Sequence, residues 1–118
     1  MATVTWIKST ANEWLTFETF NISAVATVGV YIIWHGGQNP RVVYVGQGDV
    51  KARLTAHRGD KRILAYKTSG LLMVTWAEVS LAADRNGIER YLANRLSPLV
   101  GDSHPDVNSI EVNLPWAA

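Results

Sequence analysis

The sequence predicts an α+β domain built on a small three-stranded antiparallel sheet flanked by helices. Three observations carry this. Residues 29–35 and 41–46 are dense in Val, Ile, Tyr and Trp and bracket the turn sequence GGQNP, which reads as a β-hairpin. A third apolar run, GLLMVTWAEVSL at 70–81, reads as another strand. Ile88, Tyr91, Leu92, Leu96 and Leu99 then recur at helical spacing, with Pro98 marking the end of that helix. Early hairpin strands followed by helices are the pattern of an α+β fold.

The elements follow in order. Residues 1–27 are an N-terminal extension that Trp6, Trp14, Phe17 and Phe20 would pack onto the domain; within it WLTF reads as a short strand or a helical turn. A four-residue hairpin loop, Gly36 to Asn39, pairs His35 with Pro40, Ile33 with Val42 and Tyr31 with Tyr44. Directly opposed residues share a sheet face. Tyr31, Ile33, Val42 and Tyr44 would then line one side, and Val30, Ile32, Trp34, Val43 and Val45 the other. A slip of one residue would separate the two phenol rings. Residues 49–57 form a helix with Asp49 as N-cap, Val50 and Leu54 inward, and Arg53 and His57 one turn apart on a neighbouring face. Gly59 closes it, and 60–67 make a second short helix. In the later helix Glu89 lies about 100° from Ile88, at the border of the apolar stripe. Ile110, Val112 and Leu114 alternate, as in a short strand or an extended covering segment.

At 118 residues, 47% hydrophobic and 18% charged, the chain suits one folded domain with one modest core. It has no cysteine, which excludes disulfides and thiolate–metal sites and fits a reducing compartment. No apolar stretch approaches the ~20 residues of a membrane span, and no signal peptide is visible, so a soluble cytoplasmic protein is expected. The net charge is +1 and the pI about 8.1. The charge is uneven: Lys51, Arg53, Arg58, Lys61, Arg62 and Lys67 cluster with His57 against the single acid Asp60. Such a patch suits phosphates, or is simply a solvated helix face.

Taken singly, these residues have ordinary readings. A tyrosine pair on strands is usually packing, and a helix-face Arg, His or Glu is usually at the surface. Gly29 and Gly46 suit strand ends or bulges. GQG at 46–48 is too short for a dinucleotide-type phosphate loop. His35 and His104 lack the spacing of a zinc site and are assigned to turns. The five tryptophans read as core and cover.

Together, Gly29-Val30-Tyr31 and Tyr44-Val45-Gly46, separated by the twelve residues 32–43, resemble the paired signature of the GIY-YIG nuclease domain. Arg53 and His57 match the arginine and histidine of that family's first helix, and Glu89 matches its metal-binding glutamate. The resemblance runs over residues 28–100, leaving 101–118 as a C-terminal covering segment. It departs in two places. Tyr44 and Arg53 are nine positions apart, one fewer than typical. The family's asparagine after the helix-ending proline falls on Gly101, with Asp102 as a neighbouring substitute.

The resemblance implies a metal-dependent endonuclease that hydrolyses phosphodiester bonds in DNA. Tyr31, Tyr44, Arg53, His57 and Glu89 would be catalytic, and Gly46, Lys51 and Arg58 would bind substrate. Glu89 would hold a divalent cation, Mg²⁺ or Mn²⁺, that offsets phosphate charge. Arg53 would donate to phosphate oxygens. Tyr31 would act as base with Tyr44 orienting water or phosphate, or the reverse, and His57 would assist as base or phosphate ligand. So small a domain would cut structure-selectively or with weak sequence preference, or rely on a protein partner for targeting. The alternatives are a nucleic-acid-binding module of the same fold without turnover, and an interaction protein whose tyrosines are core.

Overall fold

The structure, a computed structural model, describes residues 2–101 and 104–116. Asp102 therefore lies outside the described residues. The architecture is α+β, with four antiparallel strands rather than three: β1 (Leu15–Thr16), β2 (Val28–His35), β3 (Arg41–Asp49) and β4 (Leu72–Glu78), in the order β1-β4-β2-β3. The extra strand comes from WLTF. Leu15 and Thr16 pair with Val74 and Met73 of β4, and the chain then turns so that Phe17 enters the core, fully buried. Two paired residues are too few to leave an alternating pattern in the sequence.

The hairpin register differs from the expected one, in an instructive way. His35 pairs with Arg41, so the loop is the five residues 36–40 and Pro40, which has no N–H to give, stays outside the ladder. That is a slip of one residue. A bulge then adds a second: Trp34 faces Val42, but Ile33 faces Tyr44, leaving Val43 extra. Two slips restore the parity that one would break. Tyr31 pairs with Gly46 instead of Tyr44, yet both phenols still point to the same face. Val42 and Val43 exchange the sides expected of them. His35 is the last residue of β2, not a turn residue, and is buried.

Helix α1 (Val50–His57) follows β3 directly. Asp49 caps it, its carboxylate accepting from the Ala52 N–H at 3.1 Å. The expected second helix is a short α2 (Lys61–Leu64), capped by Asp60, that tightens into a 3-10 turn over Ala65–Thr68. Helix α3 (Ala82–Leu96) ends in a left-handed Ser97 just before Pro98. The chain then lies along the free edge of β3, where the Leu99 and Val100 N–H groups donate to the Val42 and Val43 carbonyls.

Alternation along the strands makes two cores. One face carries Phe17, Tyr31, Ile33, Val43, Leu54 and Val74 under α1 and α2. The other carries Val30, Ile32, Val45, Ile88 and Leu92 under α3. The terminal segments cover the second face together. Ala2 bridges to Val112, and Asn113 both donates to and accepts from the Val4 backbone. The C-terminal alternation is thus a covering segment. Among the described residues, no helix is long and apolar enough to cross a membrane.

Candidate functional site

The two motif glycines are where backbones and rings come closest. A Cβ on Gly29 would run into the Ala77 carbonyl of β4, and one on Gly46 would run into the Tyr31 hydroxyl. Gly46 thus leaves the space across β3 that Tyr31 fills. Tyr31 and Tyr44 stack with centroids 6.1 Å apart and planes 9° from parallel. From α1, His57 lies against both, 4.3 Å from the Tyr44 centroid and 5.5 Å from that of Tyr31. Its Nε2 shares a hydrogen bond of 2.7 Å with the Tyr31 hydroxyl. Arg53, one helical turn earlier, reaches the same hydroxyl and donates to it, while the residue as a whole stays exposed.

Electrostatics assign different states to these groups. Tyr31 is fully buried, and desolvation raises its pKa well above the ordinary phenol value, more than Arg53 lowers it. It remains a neutral phenol. Burial first, and the Arg53 charge second, push His57 down to about 4, so its imidazole is neutral at pH 7. Arg53 is held more firmly in its charged form, chiefly by its bond to Tyr31.

Glu89 comes from α3, on the far side of the β3 edge. It is 8% exposed, and its charge acts on both Tyr31 and Arg53. Gln47 ties α3 to the strand: its amide donates to Asn86 Oδ1 at 3.1 Å and its carbonyl accepts from Arg85 Nε at 2.9 Å. Glu89 Oε2 bonds to Nδ1 of His104 at 2.8 Å. Gly101 lies beside the same ring and against Tyr44. His104 is therefore partnered to Glu89 and is not an idle turn histidine. No sequence spacing announces it, since it reaches Glu89 across an irregular loop.

The structure thus brings together Tyr31, Tyr44, Arg53, His57 and Gly46, and Glu89 joins them through its charge and through His104, which sits with Gly101 beside Tyr44. It sets two expected residues apart. Arg58 spends its guanidinium on the Phe17 and Phe20 carbonyls, at 3.0 and 2.8 Å, and stacks on the Phe20 ring. It holds the N-terminal extension. Lys51 is exposed and reaches toward the Ser23 carbonyl at 3.4 Å. Among the described residues, no three His, Cys, Asp or Glu side chains gather as a metal cage.

No protein-family model matches the chain, and neither does any curated protein or solved structure.

Proposed function

We propose that this protein is a metal-dependent endonuclease of the GIY-YIG type, acting on phosphodiester bonds in DNA. The observation that supports it best is the meeting of two phenols, an imidazole, a guanidinium and a carboxylate from four separate elements at one edge of the sheet. Groups with perturbed titration gathered in one place are the mark of a reactive site.

The donor set fits a hydrated Mg²⁺ or Mn²⁺ held by one carboxylate, a mode in which waters and substrate phosphate fill the remaining positions. Glu89 would be the hard oxygen ligand, with His104 orienting it as ligating carboxylates are commonly oriented. The cation, when bound, offsets negative charge on phosphate and leaving oxygen.

The chain's own residues do the rest. Arg53, exposed above Tyr31, offers its fork to a phosphate oxygen. Sealed and neutral, Tyr31 is poorly placed to be the base, so the two tyrosines take the reverse of their first assignment. Tyr31 positions Arg53 and His57 through its oxygen. Half-buried Tyr44 would take the proton from the attacking water. His57 holds Tyr31 in place, its Nε2 accepting from the neutral phenol O–H. Exposed Lys51, Lys61 and Lys67 supply charge for the DNA backbone.

The test is nicking of plasmid, branched and single-stranded DNA with Mg²⁺ or Mn²⁺, against EDTA and Glu89→Gln. Cutting that Glu89→Gln lowers by about 10²-fold or more is expected. Glu89→Gln cutting as well as wild type would sink the reading. Salt-sensitive binding without cutting would leave the binding module in its place.

A further inference from the structure

A cavity of about 450 Å³ opens on the second face of the sheet, away from the tyrosine–histidine cluster. Trp34 forms its floor. Trp14 and Trp116 meet that ring edge-on, with centroids 5.4 and 5.1 Å away and planes at 87° and 84°. Leu96 adds to the wall, and Arg41 and Arg95 stand at the rim, both exposed. Arg41 makes one long contact of 3.5 Å to the Ser97 carbonyl. Among the described residues no carboxylate pairs with either arginine.

We infer that this cavity binds a nucleotide, with the base among the indoles and the phosphate on Arg41 and Arg95. Its volume lies within the ~300–1,000 Å³ of small-ligand sites. Indole faces hold any nucleobase by stacking, which is tolerant of sequence. Two guanidinium forks match a phosphate, and neither pairs with an acid among the described residues. An apolar chain would leave the cations unused, and inorganic phosphate would leave the indoles unused. A nucleotide uses both. This site does not depend on the nuclease reading: it lies on other residues and on the opposite face.

Titration of the full chain with AMP, followed by the indole N–H signals in ¹H–¹⁵N spectra, tests it. Saturable shifts at Trp14, Trp34 and Trp116 are expected, with Trp76 on the other face unmoved. Adenosine, lacking the phosphate, should bind about tenfold more weakly or worse, and the Arg41→Gln/Arg95→Gln double variant should bind AMP as weakly as wild type binds adenosine. Both arginines are exposed, so the variant retains the core; Trp14→Phe, which keeps an aromatic wall, should retain AMP binding within severalfold. The inference is overturned by AMP that never saturates, by AMP affinity unchanged in the double variant, or by decanoate shifting the three indoles where AMP does not.

Discussion

The two faces of the sheet are built from the same strands and are opposite in character. Along β2, Val30 and Ile32 go to one side and Tyr31 and Ile33 to the other. Under α3 the core is apolar, aliphatic around Ile88 and Leu92 and indole-lined around Trp34, and polar contacts such as the Trp6 indole donating to the Asn113 carbonyl at 2.9 Å lie beside it. Under α1 the core includes a phenol hydroxyl, a neutral imidazole and the base of a guanidinium. Burying such groups costs stability unless each is partnered. Here they partner one another, and a carboxylate from the opposite side of the β3 edge joins them. The difference teaches that one face is packed almost wholly from apolar side chains, while the other gives up some stability to hold titratable groups in fixed states.

Substitutions should separate the faces, most clearly by stability. Leu92→Ala empties a fully buried position on the aliphatic face. It should cost about 2–5 kcal/mol in urea unfolding. Cleavage per folded molecule should stay near wild type. A cost under ~1 kcal/mol, or a loss of turnover in the folded fraction, would break the contrast.

The next effect depends on pH. His57 titrates near 6.5 unfolded and about 4 folded, so the native state binds fewer protons below neutrality. The stability this contributes is complete above pH 6.5 and is lost as pH falls toward 4. Its size is up to about 3 kcal/mol. Unfolding curves taken at pH 7, 5.5 and 4 measure it. His57→Phe should flatten that dependence, whereas Leu92→Ala should leave its slope intact. An equal slope in His57→Phe would show that other groups carry it.

Tyr31→Phe is smaller. It removes the hydroxyl bonded to His57 and Arg53 and leaves the ring stack in place. About 1–2 kcal/mol should be lost in urea unfolding, since the buried imidazole gives up a partner. His57, followed by NMR, should shift its titration at the same time. An unmoved His57 would mean the phenol does not set its state.

Much of this contrast is legible in the sequence, and the part that is not has physical causes. The helices announce themselves through Asp49, through the Ile88 and Leu92 spacing, and through Pro98. Arg53 and His57 share a face because a helix fixes that relation locally. The tyrosine pairing is different: whether Tyr31 and Tyr44 meet depends on a loop length and on a bulge at Val43, neither of which leaves a periodic trace. Each shifts the ladder by one, and the rings meet because the shifts add. Glu89 and His104 come together through the packing of α3 and an irregular loop, which is long-range information. Arg58 was readable as a cation but not as a tether, because its partners are backbone carbonyls that have no sequence signature.

The smallest expected effect on stability is also the sharpest test of the comparison. Arg53 belongs to the polar face but is exposed, so Arg53→Lys should change unfolding by less than ~0.5 kcal/mol. Lysine keeps the positive charge that helps hold His57 neutral, so the pH slope should survive too. What lysine lacks is the planar fork, able to hold the Tyr31 oxygen and a phosphate oxygen together. DNA cleavage should therefore fall by about tenfold or more while the fold is untouched. The aliphatic face predicts the reverse relation, in which stability is lost and turnover per folded molecule is kept. If Arg53→Lys cuts DNA within twofold of wild type, the guanidinium is a surface charge beside a packed tyrosine, and the polar face has no claim to chemistry through it.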